Sequence, residues 1–367
     1  MMATVNLFIV GISLVSLFGH LMRKISNILL VKNRALGDSV MGLSSVAYAR
    51  ALYPKANIIY AVPQWVAPLY KNVETAADSI YPLSLKSFKD FFKTYRDLRK
   101  LKVDHIHEMH QSGRGAKAFK LIAFFMGIKY TAHNHHLKEG GRVHDQGVIK
   151  PLIQRDLDGV YSFLGEKEVP KFLDYPPKMN ILNSNAKKAR IIFGVVATRL
   201  TKMWPLENYI SLAKLMALAF PEFEVVIPLS KSVDDERIKN ELEALGLPSN
   251  TSIVHIPLAE LPKFFQESAF YIGNDTGLKH IAVAVDLKSF TLFGPEPANE
   301  WHPYDSKKHP YFYVEELACR TRVHHYCGLS VCDLKDEYMQ CLKLFTPEKV
   351  MEAITTTCKD FLHSRDL

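Results

Sequence analysis

Short apolar runs of strand length alternate along this chain with segments of helical period. Asn27-Ile-Leu-Leu-Val31 is a continuous apolar run, as expected of a buried parallel strand. Lys32 to Asp38 is a polar loop carrying Gly37, and Ser39 to Leu52 reads as a helix that Pro54 stops. Asn57 to Val62 is the next strand, ended by Pro63. Ser87 to Leu101 sets Phe88, Phe91, Phe92, Tyr95 and Leu98 on one side of an amphipathic helix. Val103 to His107 reads as a strand and Ala116 to Met126 as a helix. This alternation predicts a doubly wound α/β domain.

Asp174 to Arg190 breaks the pattern with Pro176-Pro177, Asn180, Asn183, Ser184 and Asn185. It predicts a linker over 176–190 between a first domain at 25–175 and a second at 191–345. The second domain repeats the alternation. Strands are expected at Ile191–Val196, Phe223–Ile227, Ile253–Ile256, Phe270–Ile272 and Phe290–Phe293. Helices are expected at Leu206–Ala219, Asp234–Leu245 and Leu278–Val285, and Pro347–Phe361 reads as a closing helix within 346–367. In such sheets ligands bind outside the carboxyl ends of the strands. The three loops richest in chemistry, 32–38, 197–205 and 273–277, all follow strands, so they face one shared cleft.

The 367 residues suffice for two ordinary domains. With 48% hydrophobic and 23% charged residues, disordered and low-complexity classes are excluded. A net charge of +8 favours anionic partners: a nucleotide diphosphate, an anionic lipid surface, a phosphorylated glycan or nucleic acid. No RNA-binding aromatic motif or zinc-finger spacing supports nucleic acid. Cys319, Cys327, Cys332, Cys341 and Cys358 contain no C-x-x-C pair, so they read as reduced thiols. Val5 to Phe18 is apolar and Arg23-Lys24 follow it. The run is short for a membrane span, so residues 1–24 read either as an N-terminal membrane anchor or as an added helix.

Three constellations carry chemistry. Tyr271-Ile-Gly-Asn-Asp-Thr-Gly-Leu-Lys-His-Ile-Ala-Val-Ala284 reads as strand, turn and helix start. Asp275, Thr276 and Gly277 sit where helix N–H groups are unpaired and an anion can bind. Thr276 can offer a hydroxyl to phosphate. Asp275 is expected to fix the turn through backbone N–H groups or to meet a sugar hydroxyl, and His280 to face either the leaving group or the core. An ordinary helix cap uses the same residue types. In Ala197-Thr-Arg-Leu-Thr-Lys-Met-Trp-Pro205, Thr198 and Lys202 are placed to cradle a pyrophosphate, with Lys202 charge meeting the leaving group. In Arg34-Ala-Leu-Gly-Asp-Ser39, Gly37 allows close approach and Asp38 stands at a helix start.

The stretch 271–284, continued by Thr291-Leu-Phe-Gly-Pro295 and Trp301-His-Pro-Tyr304, resembles the donor-site signature of the lipopolysaccharide heptosyltransferases, glycosyltransferase family 9. The Lys-x-Trp-Pro order at 202–205 is similar to that family's donor loop. The resemblance covers roughly residues 25 to 350 and implies two facing Rossmann-like domains in the GT-B arrangement. It implies that Asp38, in the Gly-Asp pair after the first strand, is the general base, a role that suits a carboxylate. Arg34 is then a candidate for an acceptor or donor phosphate. Arg114 and Lys117, in Ser112-Gly-Arg-Gly-Ala-Lys117, fall where relatives place basic acceptor-side residues. Ser230 to Arg237 resembles the loop that contacts the nucleoside, with Asp234 the candidate for a ribose hydroxyl. The family's glycines before it are here Ile227-Pro228-Leu229.

Two other patterns are read as structural. His105, His107 and His110 with His133, His135 and His136 lack acidic partners at a known metal spacing. Asp156-Leu157-Asp158 is expected to be a solvated surface pair. The resemblance therefore implies an inverting, metal-independent transferase without a cofactor. Its donor would be a nucleotide sugar, ADP-heptose first, and its acceptor an anionic lipopolysaccharide-type glycolipid. Work in the cytoplasm at the inner membrane face is expected, with membrane contact and without nucleic acid. A transferase or epimerase of another nucleotide sugar, or a non-catalytic glycan-binding protein, remains the alternative.

Overall fold

The computed structural model describes residues 25–111, 113–134, 150–164, 168–183, 186–317, 319, 329–336 and 338–358. The N-terminal apolar segment, Cys327, His135 and His136, and the end of the closing helix lie outside them. The first half runs β1 (Asn27–Val31), α1 (Leu36–Met41), α2 (Leu43–Leu52), β2 (Asn57–Pro63), β3 (Val73–Glu74), β4 (Ser79–Leu83), α3 (Phe88–Lys100), β5 (His105–Met109), α4 (Gly113–Met126), β6 (Lys129–His133) and α5 (Leu152–Leu164). Its sheet has the order β4-β2-β1-β5-β6, parallel throughout. The register sets Leu30 of β1 between Tyr60 and His107. Chain order reverses between β1 and β5, which opens a crevice at the carboxyl ends of those strands.

The second half runs β7 (Asn180–Ile181), β8 (Arg190–Gly194), α6 (Leu206–Ala219), β9 (Glu224–Leu229), α7 (Val233–Ala244), β10 (Thr251–His255), α8 (Leu261–Gln266), β11 (Phe270–Asn274), α9 (Gly277–Ala284), β12 (Ser289–Leu292), α10 (Ala298–Trp301), β13 (Tyr311–Phe312), α11 (Gln340–Lys343) and α12 (Pro347–Thr357). Its six strands are ordered β10-β9-β8-β11-β12-β13, again parallel. β7 pairs back to β3 in a short antiparallel ribbon.

Three apolar clusters hold the layers. One lies between the first sheet and α3 and α4, around Leu29, Ile59, Leu98, Phe119 and Ile122. A second fills the second half around Phe193, Trp204, Tyr209 and Phe290, and α12 closes it with Val350 and Ile354. The third joins the halves, since it contains Leu30, Val40 and Tyr60 together with Ile192, Tyr271 and Ile281.

Four local outcomes differ from the sequence reading. The helix expected over 39–52 starts at Leu36 and breaks at Gly42. A Cβ at Gly42 would lie 2.2 Å from the Tyr60 hydroxyl, which instead donates to the Ser39 carbonyl at 2.7 Å. β5 begins two residues later than expected, at His105, and both of its faces are buried. β4 was hidden by Pro82, which an edge strand tolerates. Asp156 is not solvated. It lies on the inner side of α5, fully buried, between Lys32 Nζ at 2.6 Å and His133 Nε2 at 3.0 Å. Asp158 stays near the surface with Lys150 and Gln154.

Asn274 ties β11 to the loop after β8. Its side chain accepts from the Trp204 N–H at 2.9 Å and Tyr209 Oη at 3.1 Å and donates to the Val195 carbonyl at 2.8 Å. Asn274→Ala would strand three buried groups, so unfolding free energy should fall by about 2 kcal/mol or more in urea titration.

Candidate active site

The carboxyl ends of both sheets line one cleft of about 1010 Å³. The first half contributes Leu36, Gly37, Asp38 and Trp65. The second contributes the loop 196–203, the start of α7 with Asp234 and Arg237, His255, and the turn 275–278. The halves meet where α1 and α9 cross. A Cβ at Gly37 would lie 2.6 Å from His280 Cδ2, and a Cβ at Gly277 would lie 2.9 Å from Leu36 Cδ2. Both glycines are therefore required by close approach rather than by turn geometry.

Asp38 occupies the first turn of α1, and the residue capping that helix is Ala35, without a side-chain bond. The Asp38 carboxylate also accepts the Ala35 backbone N–H, so it helps to close the start of that helix. Burial raises its pKa above the ordinary carboxylate value, against the pull of Lys32 and Arg34, while Asp156 adds to the rise. Beneath it a buried polar chain runs from Lys32 to Asp156 and His133. His133 Nδ1 meets His107 Nε2 at 3.0 Å, and His107 and His105 both reach Thr131 Oγ1 at 2.8 Å. Burial lowers the pKa of His133 and brings that of His105 to about 4, so both are neutral at pH 7. Among the described residues, no group of three His, Cys, Asp or Glu is arranged to hold a metal ion.

On the donor side, Asp275 lies between two ammonium groups. Lys279 Nζ stands 2.5 Å from one carboxylate oxygen and Lys202 Nζ 2.9 Å from the other. Burial alone would raise the Asp275 pKa, but Lys202, Lys279 and His280 hold it below the ordinary range. Asp275 thus binds lysines rather than the backbone N–H groups expected of it. Lys279 is further fixed by the Trp301 carbonyl at 2.9 Å and the Phe293 ring at 4.6 Å. Lys202 remains partly exposed, at 16%, with the cleft in front of it. Thr276 caps α9 without a side-chain bond, and Thr198 is exposed at the cleft wall. His280 is buried and bonded to the Tyr304 hydroxyl. Burial, reinforced by Lys279, holds its pKa well below the ordinary value, so it is a neutral joint between the halves.

The cleft thus gathers Gly37, Asp38, Thr198, Lys202, Asp234, Asp275, Thr276, Gly277 and His280. Arg34 is exposed beside it, whereas Arg114 and Lys117 lie on the exposed side of α4, outside its lining. Sequence reasoning passed over Lys279, Arg199 and Glu296. Lys279 stands four residues after Asp275, the spacing that lets helical side chains meet. Glu296 follows Phe293-Gly-Pro directly and pairs with Arg199. Burial raises its pKa, against Lys202 and Arg199. Cys319, Cys332 and Cys341 line a separate small cavity behind the donor loop.

Comparison with known proteins agrees with this arrangement. The family model for glycosyltransferase family 9 (heptosyltransferase) matches residues 93–328. A lipopolysaccharide heptosyltransferase 1 of Campylobacter coli is 32% identical over 296 residues, covering 74% of this chain and 84% of that one. A lipopolysaccharide heptosyltransferase 2 of Salmonella typhimurium is 23% identical over 355 residues, covering 89% and 97%. The fold is that of the Escherichia coli ADP-heptose lps heptosyltransferase II, with a TM-score of 0.70 at 20% identity over 91% of this chain and 99% of that one.

Asp156→Ala would leave the Lys32 ammonium buried without its carboxylate. A loss of about 3–5 kcal/mol is expected in chemical denaturation. Asp158→Ala, near the surface, should cost less than about 1 kcal/mol.

Proposed function

Because the chain belongs to glycosyltransferase family 9 and is a heptosyltransferase-like enzyme of lipopolysaccharide biosynthesis, we propose that it transfers heptose from ADP-heptose to a lipopolysaccharide-type glycan with inversion at the anomeric carbon. Asp38 takes the proton from an acceptor hydroxyl as that oxygen attacks. The bond between the anomeric carbon and the diphosphate breaks on the opposite face, and ADP leaves. Lys202 meets the charge that develops on the departing oxygen. Thr198, Thr276 and the N–H groups at Gly277 hold the diphosphate. Asp234 is the candidate for the ribose hydroxyls, and His280 keeps the two half-sites in register.

One observation carries this reading. Lys202 is aimed into the cleft by a buried carboxylate, and that cleft is the one Asp38 lines. A lysine held at one end has lost much of its freedom before substrate arrives, so its charge is preorganised. The raised pKa of Asp38, caused by burial, makes it a stronger base than a solvated carboxylate. In this reading Lys202 and the helix start supply the charge neutralisation, and no metal is assigned to it.

The test is a panel of nucleotide sugars incubated with the protein, with and without lipopolysaccharide core, while nucleotide diphosphate is measured. ADP release from ADP-heptose that needs acceptor is expected, with a product of inverted configuration by NMR. Release without acceptor would overturn the transferase reading. Asp38→Asn should lower kcat about a hundred- to ten-thousandfold, with donor affinity retained. Lys202→Ala should lower kcat by about a hundredfold or more, and a chelator should change nothing. Asp38 must be ionised to act and its pKa is raised. The acidic limb of kcat/KM should therefore lie above the ordinary carboxylate value of about 4, with activity lost as pH falls through it.

A further inference from the structure

The helices α3 and α4 lie side by side on the same face of the first sheet, and their inner sides supply Leu98, Phe119 and Ile122 to one core. Their outer sides are unusual for protein facing water. Phe88 is 86% exposed, Phe92 65%, Phe124 78% and Phe125 60%. Single exposed apolar residues are ordinary, but four phenylalanines on two adjacent helices are not. Each pair follows from helical geometry. Phe88 and Phe92 are four residues apart on α3. On α4, Leu121, Phe124 and Phe125 extend the face that begins at Lys117.

The charge on these two helices is mainly positive. On α3, Lys89, Lys93, Arg96, Arg99 and Lys100 stand against Asp90 and Asp97. Both carboxylates are occupied within the fold: Asp90 accepts the N–H groups that open the helix, and Asp97 pairs with Lys93 at 2.6 Å. On α4, Arg114, Lys117 and Lys120 have no acidic counterpart. Lys86, at the start of α3, and Lys129, after α4, are exposed at the margins.

We propose that this face docks on an anionic phospholipid surface. Aromatic side chains enter the boundary between headgroups and acyl chains, and lysines and arginines on the same face meet the headgroup phosphates. Long basic stems lie along the apolar surface while their charges stay in water. The chemistry selects a bilayer over a folded protein partner, because basic residues are spread along both helices among the exposed phenylalanines. Both helices begin at the carboxyl ends of their strands, the end at which the cleft opens. A membrane lying along this face would cover the side of the first sheet opposite α1, with the amino-terminal ends of α3 and α4 toward the end at which the cleft opens. Arg114 and Lys117, which lie outside the cleft lining, belong to this surface.

The experiment is flotation of the full chain with vesicles of phosphatidylglycerol mixed with phosphatidylcholine, against phosphatidylcholine alone. Neither donor nor acceptor is needed, so docking stands or falls separately from the transferase reading. Binding to the anionic vesicles is expected, weakening as salt rises. Lys89→Glu with Lys120→Glu should weaken it at least tenfold, since each basic residue near such a surface contributes about 1 kcal/mol. Phe124→Ser with Phe125→Ser should weaken it about as much while leaving the salt dependence in place. Far-UV circular dichroism and the thermal unfolding midpoint should stay unchanged in both double variants, which shows that they fold. Three results would overturn the proposal: wild-type protein that ignores anionic vesicles, binding that survives both variants and disappears only when residues 1–24 are removed, or variants that dissolve a dimer and leave vesicle binding intact.

Discussion

The crossing of α1 and α9 is the contact on which the rest of the site depends. Each helix starts directly after a central strand of its own sheet, and each carries a glycine where the other presses closest. Gly37 receives the His280 ring and Gly277 receives Leu36. With a side chain at either position the helix starts would separate, and the two half-sites with them. The core beneath this crossing is continuous from Leu30 and Val40 to Tyr271 and Ile281. The two sheets therefore form one cleft wall through steric fit, and polar residues are then hung on that frame.

The polar residues follow a common design on both sides of the cleft. In each half a buried carboxylate orients lysine: Asp275 holds Lys202 and Lys279, and Asp156 holds Lys32 beneath Asp38. Burying such pairs costs desolvation energy that their attraction only partly returns. Their value lies in placement. A lysine tethered at one end presents its charge at a fixed point, and a charge under Asp38 tempers the rise that burial imposes on its pKa. His280, held neutral by burial and by Lys279, joins the halves without adding a third cation near the lysines.

Family membership and geometry constrain different things. The family model spans 93–328, which includes the turn at 273–277 and the Lys202 loop but not Asp38. Asp38 enters the site because β1 sits at the centre of its sheet and ends at the crevice. Likewise the identities of 20–32% to the relatives named above fix the architecture, while the unusual surface of α3 and α4 comes from this chain's own residues.

The sequence by itself determined the two-sheet α/β plan, because continuous apolar runs such as 27–31 and 270–272 have few solutions other than buried parallel strands. Helices with strong local signals were equally legible: α6 spans the residues expected, and α3 lies within one residue of its expected ends. The residues after several strands were legible as chemistry, since glycine, carboxylate, hydroxyl and lysine cluster in the loops 32–38, 197–205 and 273–277. What tertiary structure alone decided is which of them touch. No spacing along the chain puts Gly37 against His280 or Asp156 against Lys32, because these pairs are separated by 243 and 124 positions and meet only once both sheets are packed. The same packing buried Asp156, whose place near the expected edge of the first domain had suggested a solvated surface pair, and left Phe88 and Phe92 in the open, although their helix was amphipathic enough to hide them. Local pattern fixes which elements form. Which face of an element is covered depends on neighbours far away in the chain, and that information is not local.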